Sequence, residues 1–326
     1  MNKLKCASFF AGVGGIDLGF DSAGFETIYA NEFDPYPAKT FELNFPSIKV
    51  DVKDINDVKT ESIPDFDIML AGFPCQAFSI AGYRKGFDDE KGRGELFFQL
   101  VRILEEKKPR IIFLENVKNL VGHDNGNTFR VICEQLDLLG YKYTYQVLNA
   151  MNYGNIAQNR ERIYIIAFRE EEDYENFHWP LSIPLSSTVR ELIDFSKPVD
   201  EKYYYTKGKY KGDIYEQLEI SMKNDEKSTP SIYQWRRKYV RQNKSGVVPT
   251  LTANQGEGGH NVCLIHTDDN RIRKMTPREC FNTQGFPSHF KLPETLSDAR
   301  LYKQAGNSVC VSVISRLAKS IADCIE

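Results

Sequence analysis

Histidine is scarce in this chain, and paired cysteine motifs and long apolar runs are missing altogether. Five histidines in 326 residues disfavour chemistry built on imidazole or on a histidine-held metal. The seven cysteines, Cys6, Cys75, Cys133, Cys263, Cys280, Cys310 and Cys324, form no C-x-x-C pair and have no histidine at zinc spacing. Neither a disulfide framework nor a structural metal is therefore expected. No stretch approaches the roughly 20 apolar residues of a membrane span. The opening MNKLKCASFF also lacks a signal peptide's apolar core and small-residue cleavage site. The expectation is a cytoplasmic protein with no membrane partner. What is present, 41% apolar residues and 12% aromatics, fills one generous core or two, with no internal repeat and no low-complexity tract.

Net positive charge is lacking too. The sum of −3 at first speaks against a nucleic-acid partner, but its distribution is uneven. Residues 201–280 hold 15 Lys and Arg against 10 Asp and Glu, a balance of +5 that leaves −8 for the rest. The densest run is Arg236, Arg237, Lys238, Arg241 and Lys244, interleaved with Trp235 and Tyr239. On charge patterning alone this run reads equally well as a solvated face.

The first half alternates short apolar runs with longer segments of helical spacing. The runs LKCASFF, ETIYANE, DIMLAGF, RIIFLENV and RIYIIAFR predict strands, and ELFFQLVRILEEKK (95–108) and NTFRVICEQLDLLG (127–140) predict helices, the second capped by Gly140. This alternation predicts an α/β fold with a doubly wound, largely parallel Rossmann-like sheet, whose ligands sit beyond the carboxyl ends of the strands. After Arg169 an acidic run, Pro180, Pro184, Pro198 and the tyrosine-rich EKYYYTKGKYKG mark a change of composition. The expected partition is a catalytic and cofactor domain at 1–178, a smaller loop-rich domain at 179–300, and a closing segment at 301–326. That segment turns amphipathic and helical from Ser308 and returns to the first domain.

Two strand ends carry chemistry. The first runs into Phe10-Ala11-Gly12-Val13-Gly14-Gly15, where glycines let the backbone turn sharply and approach a ligand. Asp17 stands where G-x-G-x-x-G would have its third glycine, which favours an adenosine-bearing ligand other than a nicotinamide dinucleotide. Glu32, twenty residues after Gly12, has the spacing of a carboxylate that accepts from ribose hydroxyls, the bland alternative being a surface carboxylate. The strand DIMLAGF leads into Pro74-Cys75-Gln76 and a loop containing Gly82, Gly86, Gly92 and Gly94. Most lone cysteines are small buried hydrophobes, but a cysteine at a strand's carboxyl end before such a loop has the position of a nucleophile. The next strand brings Glu115 and Asn116 to the same edge, and a carboxylate after an apolar run is costly unless it is paired or used.

These segments resemble a family. FAGVGG (10–15), GFPCQ (72–76), ENV (115–117), QNRER (158–162), RECFNTQGFP (278–287) and GNSV (306–309) are similar, in order and across nearly the whole chain, to the motifs of the cytosine-C5 DNA methyltransferases. The first domain resembles the small bacterial modification methylases of restriction-modification systems. The resemblance implies transfer of a methyl group from S-adenosylmethionine to C5 of a flipped cytosine in double-stranded DNA. Cys75 would be the covalent nucleophile at C6, Glu115 would hold N3 and the exocyclic amine, and Arg162 would stand by the base with Arg160 in support. It further implies Phe10, Gly12, Gly14, Gly15, Glu32, Phe33, Asp54, Ile55, Pro74 and Asn307 as cofactor-binding residues; the family often has Trp where Phe33 stands. The variable stretch between QNRER and RECFNTQGFP becomes a target-recognition domain, with Gln234, Arg236, Arg237, Lys238, Arg241, Asn254 and Gln255 as candidate DNA contacts. A monomer is expected, with no metal.

Three rivals differ in their marks. A tRNA cytosine methyltransferase on the same scaffold would carry Cys-Phe-Thr, which is absent; a non-catalytic DNA-binding homologue would have lost Cys75 or Glu115, and both are present. A nicotinamide dehydrogenase explains the glycine turn but not PCQ, ENV and QNRER.

Overall fold

The computed structural model describes residues 3–74, 96–209, 213–223, 232–236, 239–243, 245–255 and 262–325. Cys75 and the glycine-rich segment after it lie outside the described residues, as do Arg237, Lys238 and Lys244; Arg236 is described through its backbone pairing alone. The chain divides into two compact units. One comprises Met1–Leu148, Glu161–Pro180 and Ile314–Glu326, the other Asn149–Arg160 and Leu181–Val313. The crossing of Asn149–Arg160 into the second unit has no counterpart in the composition of the chain.

The first unit carries β1 (Lys5–Phe9), β2 (Glu26–Asn31), β3 (Ile68–Ala71), β4 (Ile111–Val117), β5 (Lys142–Asn149) and, after the two-residue β6 (Gln158–Asn159) of the second unit, β7 (Glu161–Phe168). Their order in the sheet is β2-β1-β3-β4-β7-β5. β1 to β4 run parallel, and β7 is antiparallel to β4. The central strands are buried throughout, IMLA of β3 completely and IIFLEN of β4 to its sixth residue, which is why they read as unbroken apolar runs. The five expected strands all form. β5, KYTYQVLN, went unseen because it is half-exposed along most of its length and of mixed polarity.

The helices α1 (Gly15–Ser22), α2 (Pro35–Asn44), α3 (Leu96–Lys107) and α4 (Asn127–Leu138) cover the sheet. Gly140, at φ 80°, follows the end of α4 as its left-handed terminator. α1 lies so close to the helix Val311–Ile325 that a Cβ on Gly19 would stand 2.4 Å from Ile314 Cγ2. Fully buried Phe9, Phe20, Phe41, Phe97, Phe113 and Phe168 fill the layers. Among the described residues no helix is long and apolar enough to cross a membrane.

The loop-rich second unit contains a five-stranded sheet that its composition did not announce. β8 (Tyr204–Tyr205), β9 (Ile232–Arg236), β10 (Tyr239–Gln242), β12 (Val262–His266) and β13 (Ile272–Lys274) follow the order β10-β9-β12-β13-β8, every pair antiparallel. The separate β11 (Val248–Pro249) pairs with β6. One face of the sheet packs Tyr205, Tyr233, Val262, Leu264 and Ile272 against Ile214 and Leu218 of the helix Ile214–Lys223. The fully buried Arg273 guanidinium forms two 2.7 Å bonds to Glu279, whose carboxylate also completes the capping box at Thr276.

Asp17, fully buried on α1, accepts from Ser8 Oγ of β1 and Thr27 Oγ1 of β2, each at 3.0 Å, and so ties the helix to both strands. Burial outweighs these bonds and pushes its carboxyl up from 3.8 to about 6. Because the folded value lies above the unfolded one, this group's stabilising contribution is complete below pH 3.8 and is lost as pH rises through about 6. Asp17→Asn should therefore gain stability relative to the parent chain as pH rises, by on the order of 2–3 kcal/mol between acid and pH 8. Urea unfolding of both proteins across that range measures it. A difference independent of pH would show that Asp17 is not held in this state.

Candidate active site

The carboxyl ends of the parallel strands are level. Phe9 pairs with Asn31 and with Ala71, and Ala71 pairs with Leu114. The residues that follow, Phe10, Glu32, Gly72 and Glu115, thus form one row at the edge of the sheet. The register, more than any single contact, assembles the site.

At the β1 end the chain reverses through three residues of positive φ, Phe10 at 53°, Gly12 at 56° and Gly14 at 85°. Gly14 is dictated twice, since a Cβ there would also lie 2.5 Å from Phe45 Cε2. Among the described residues only the Phe10 carbonyl oxygen, 4.0 Å away, lies near a Cβ built on Gly12. Its N–H donates to Glu32 Oε2 at 3.0 Å, and Asp34 N–H donates to Glu32 Oε1 at 2.9 Å. Two backbone donors thus orient the buried Glu32 carboxylate at the mouth of the glycine turn. Phe33 is 67% exposed, an unusual amount for an aromatic ring, and presents a face for stacking. Ile55 is buried, and Asp54 caps the short turn Ile55–Asp57 by accepting from Asn56 N–H at 2.9 Å. A glycine turn, an oriented carboxylate and an exposed ring fit a nucleoside-bearing cofactor.

At the neighbouring ends, Asn116 Nδ2 donates to the Phe73 carbonyl at 2.9 Å in a buried bond, and its Oδ1 accepts from Val117 N–H. The Asn of ENV thereby pins the backbone immediately before Pro74 and Cys75. Gly72 permits the close packing here, as a Cβ on it would lie 3.7 Å from Glu115 Oε2. Glu115 Oε1 is 3.1 Å from Arg162 Nε, with both side chains nearly nine-tenths buried. The pairing Val117 with Arg162 puts that arginine on the same face of the sheet as Glu115. A buried carboxylate beside a guanidinium suits recognition of a polar planar edge, since the pair supplies an acceptor beside fixed donors.

Arg160 is placed differently. It stands between β6 and β7, in the second unit, and does not share a strand face with Arg162. Its guanidinium, 2% exposed, donates to the carbonyls of Leu251 (3.1 Å), Gly306 (3.2 Å) and Ser308. Close by in sequence, Gln158 Nε2 donates to Thr283 O at 2.7 Å, and Gln284 Nε2 donates to Ala305 O. The backbone at Gly306 packs so tightly that a Cβ would lie 2.2 Å from the Thr252 carbonyl carbon. Segments of QNRER, TLTAN, RECFNTQGFP and GNSV are therefore knotted around one buried cation. The glutamines of this knot were not singled out in the sequence; Gln158 directly beside the QNRER arginines was the available signal.

The remaining candidates divide between the units. Gly15 opens α1 and Pro74 ends the described segment of the first unit, whereas Asn307, exposed at the end of the helix Asp298–Asn307, belongs to the second. Gln234 and Arg241, directly opposite on β9 and β10, are joined by a 3.2 Å bond from Arg241 Nη2 to Gln234 Oε1. Asn254 is exposed and Gln255 is buried.

A Rossmann-like sheet with its glycine turn, oriented carboxylate and acid-bearing strand ends on one edge defines an S-adenosylmethionine-dependent methyltransferase fold. The Entamoeba histolytica methyltransferase EhMeth shares this fold at a TM-score of 0.75 and 20% identity, over all of both chains. Residues 4–323 match the C-5 cytosine-specific DNA methylase family. Relatives include the type II methyltransferase M.Bsp6I of Bacillus sp. (strain RFL6), 58% identical over 98% of each chain. Another is M.HhaI of Haemophilus parahaemolyticus, 38% identical over all of this chain and 96% of that one. The chain belongs to the C-5 cytosine-specific DNA methylase family, is a DNA (cytosine-5-)-methyltransferase, and takes its methyl group from S-adenosylmethionine.

Arg160→Ala would leave three buried carbonyls without their cation and should destabilise the protein by about 3 kcal/mol or more, with Arg160→Lys recovering part of the loss. Urea midpoints provide the comparison. An unchanged midpoint for Arg160→Ala would show that the knot holds without its guanidinium.

Proposed function

We propose that the protein is the modification enzyme of a type II restriction-modification system, methylating one cytosine in a short specific duplex sequence and acting as a cytoplasmic monomer. The likeness to type II methyltransferases supports the setting. The observation that carries the chemistry is the Glu115–Arg162 pair on the row of strand ends, beside the Asn116–Phe73 bond that pins the approach to Cys75.

Cytosine C5 is a poor nucleophile and C6 is inaccessible in a stacked duplex, so the base must leave the helix. The Cys75 thiolate adds to C6, and the ring electrons displaced by that addition make C5 nucleophilic. Glu115 donates a proton or hydrogen bond at N3 and accepts from the exocyclic amine, stabilising charge as it develops. Arg162 orients Glu115 and faces the base, and Arg160 holds the second-unit segments to one another. S-adenosylmethionine supplies the electrophilic methyl group. Phe10, Gly12, Gly14 and Gly15 make room for this donor, with Glu32 toward its ribose, Phe33, Asp54 and Ile55 toward its adenine, and Pro74 beside it. Loss of the C5 proton to a base and expulsion of the Cys75 thiolate from C6 restore aromaticity. The basic second unit, with Arg236, Arg237, Lys238, Asn254 and Gln255 among its contacts, holds the duplex.

DNA carrying 5-fluorocytosine at the target should trap the enzyme covalently, because fluorine cannot leave as a proton does. Denaturing gels should show the adduct for the parent chain and none for Cys75→Ala; an adduct with Cys75→Ala assigns the nucleophile elsewhere. Glu115→Gln should keep cofactor binding and lower the single-turnover methylation rate by on the order of 10²-fold or more. A parental rate would remove Glu115 from the chemistry.

A further inference from the structure

The second unit contains a polar cavity of about 300 Å³, lined by Asn159, Gln234, Arg241, Asn243, Ser245 and Thr250 together with Pro249. It opens on the face of the small sheet opposite its apolar core. We propose that this cavity reads the major-groove edge of one guanine in the target duplex, with Arg241 as the reading residue, Gln234 as its positioning residue and Asn159 as a second donor. The proposal rests on the reading above that the chain acts on a specific duplex.

The donor inventory selects guanine. Arg241 spends one N–H of Nη2 on Gln234 Oε1, and this bond across the β9–β10 pair holds the guanidinium plane while the rest of its fork remains for a ligand. Asn159 Oδ1 is taken by Asn149 Nδ2 at 2.8 Å, which turns the Asn159 amide so that its Nδ2 donates elsewhere. Its carbonyl is engaged by Thr250 Oγ1 at 2.5 Å. Asn243 is committed internally, donating to Val247 O and accepting from Ser245. Among the described residues, none that lines the cavity is acidic. The Ser245 and Thr250 hydroxyl protons are spent on Asn243 and on the Asn159 carbonyl, so the strong donors that the described lining offers are the Arg241 fork and the Asn159 amide. Guanine presents two acceptors, O6 and N7, on its major-groove edge; adenine and cytosine each present an amino donor there, and thymine has a single acceptor. A DNA phosphate is also an acceptor, and the salt dependence of Arg241→Ala separates it from a base edge.

The target is first located by sequencing 5-methylcytosine in DNA from a methylation-free host that expresses the chain. Duplexes carrying 7-deazaguanine at each target guanine in turn then remove one N7 acceptor at a time. The parent enzyme should lose roughly 5- to 150-fold in kcat/KM at one guanine that Arg241 reads, the range of one bidentate contact. Arg241→Ala should show that loss on the unmodified duplex and become indifferent to 7-deazaguanine at that position alone. Arg241→Lys, which keeps the charge but not the fork, should behave likewise while retaining affinity for non-target DNA. Equal weakening on every duplex, with the salt slope reduced by about one unit, would make Arg241 a phosphate contact and overturn the assignment. So would a variant indistinguishable from the parent at every guanine. Absence of 5-methylcytosine in the host's DNA would overturn the underlying function, and this assignment with it.

Discussion

A parallel strand buried on both faces has nowhere to put a charge except at its end. β3 is wholly apolar, and β4 stays apolar until Glu115. Because their register is level with β1 and β2, Glu115 falls in one row with Phe10, Glu32 and Gly72. The Asn116–Phe73 bond then fixes the two central ends to each other, and Glu115 gains Arg162 from the one antiparallel neighbour. An antiparallel β7 is what lets a residue at a strand's beginning face residues at β4's end. With β7 parallel, Arg162 would begin at the opposite edge of the sheet.

The second unit is organised by buried cations. Arg160 and Arg273 are both almost wholly enclosed, and desolvating a guanidinium is costly unless its donors are used. Arg273 uses a carboxylate; Arg160 uses three carbonyls from segments far apart in the chain. Arg160 and Arg162 share a residue type two positions apart, yet the first ties loops together within one unit while the second orients an acid in the other. Arg241, exposed on the outermost strand β10, is left with donors directed at a cavity.

Much of this was legible in the residues. Five apolar runs became the expected strands, and the glycine turn and Glu32 proved to be in contact through the Gly12–Glu32 bond. β5 was not legible because most of its residues are partly or fully exposed, and no apolar pattern is imposed on them. The small sheet of the second unit was obscured because its strands are short and the polar face of β9 and β10 interrupts the apolar alternation. The crossing of Asn149–Arg160 into that unit is set by long-range bonds such as Gln158 to Thr283, which leave no local trace.

By itself, the amino-acid sequence determined the class of fold, the order of the chemical motifs and which residue types stand at strand ends. These follow from local rules: burial demands apolar runs, sharp turns demand glycine, and a motif's spacing survives in one dimension. Only the tertiary structure decided partners. That Glu115 meets Arg162, that Arg160 meets three carbonyls, and that Arg241 meets Gln234 beside a cavity all depend on register and packing between distant segments. Identical side chains took different tasks because the carbonyls, carboxylates and open space within reach of each guanidinium were set by the fold.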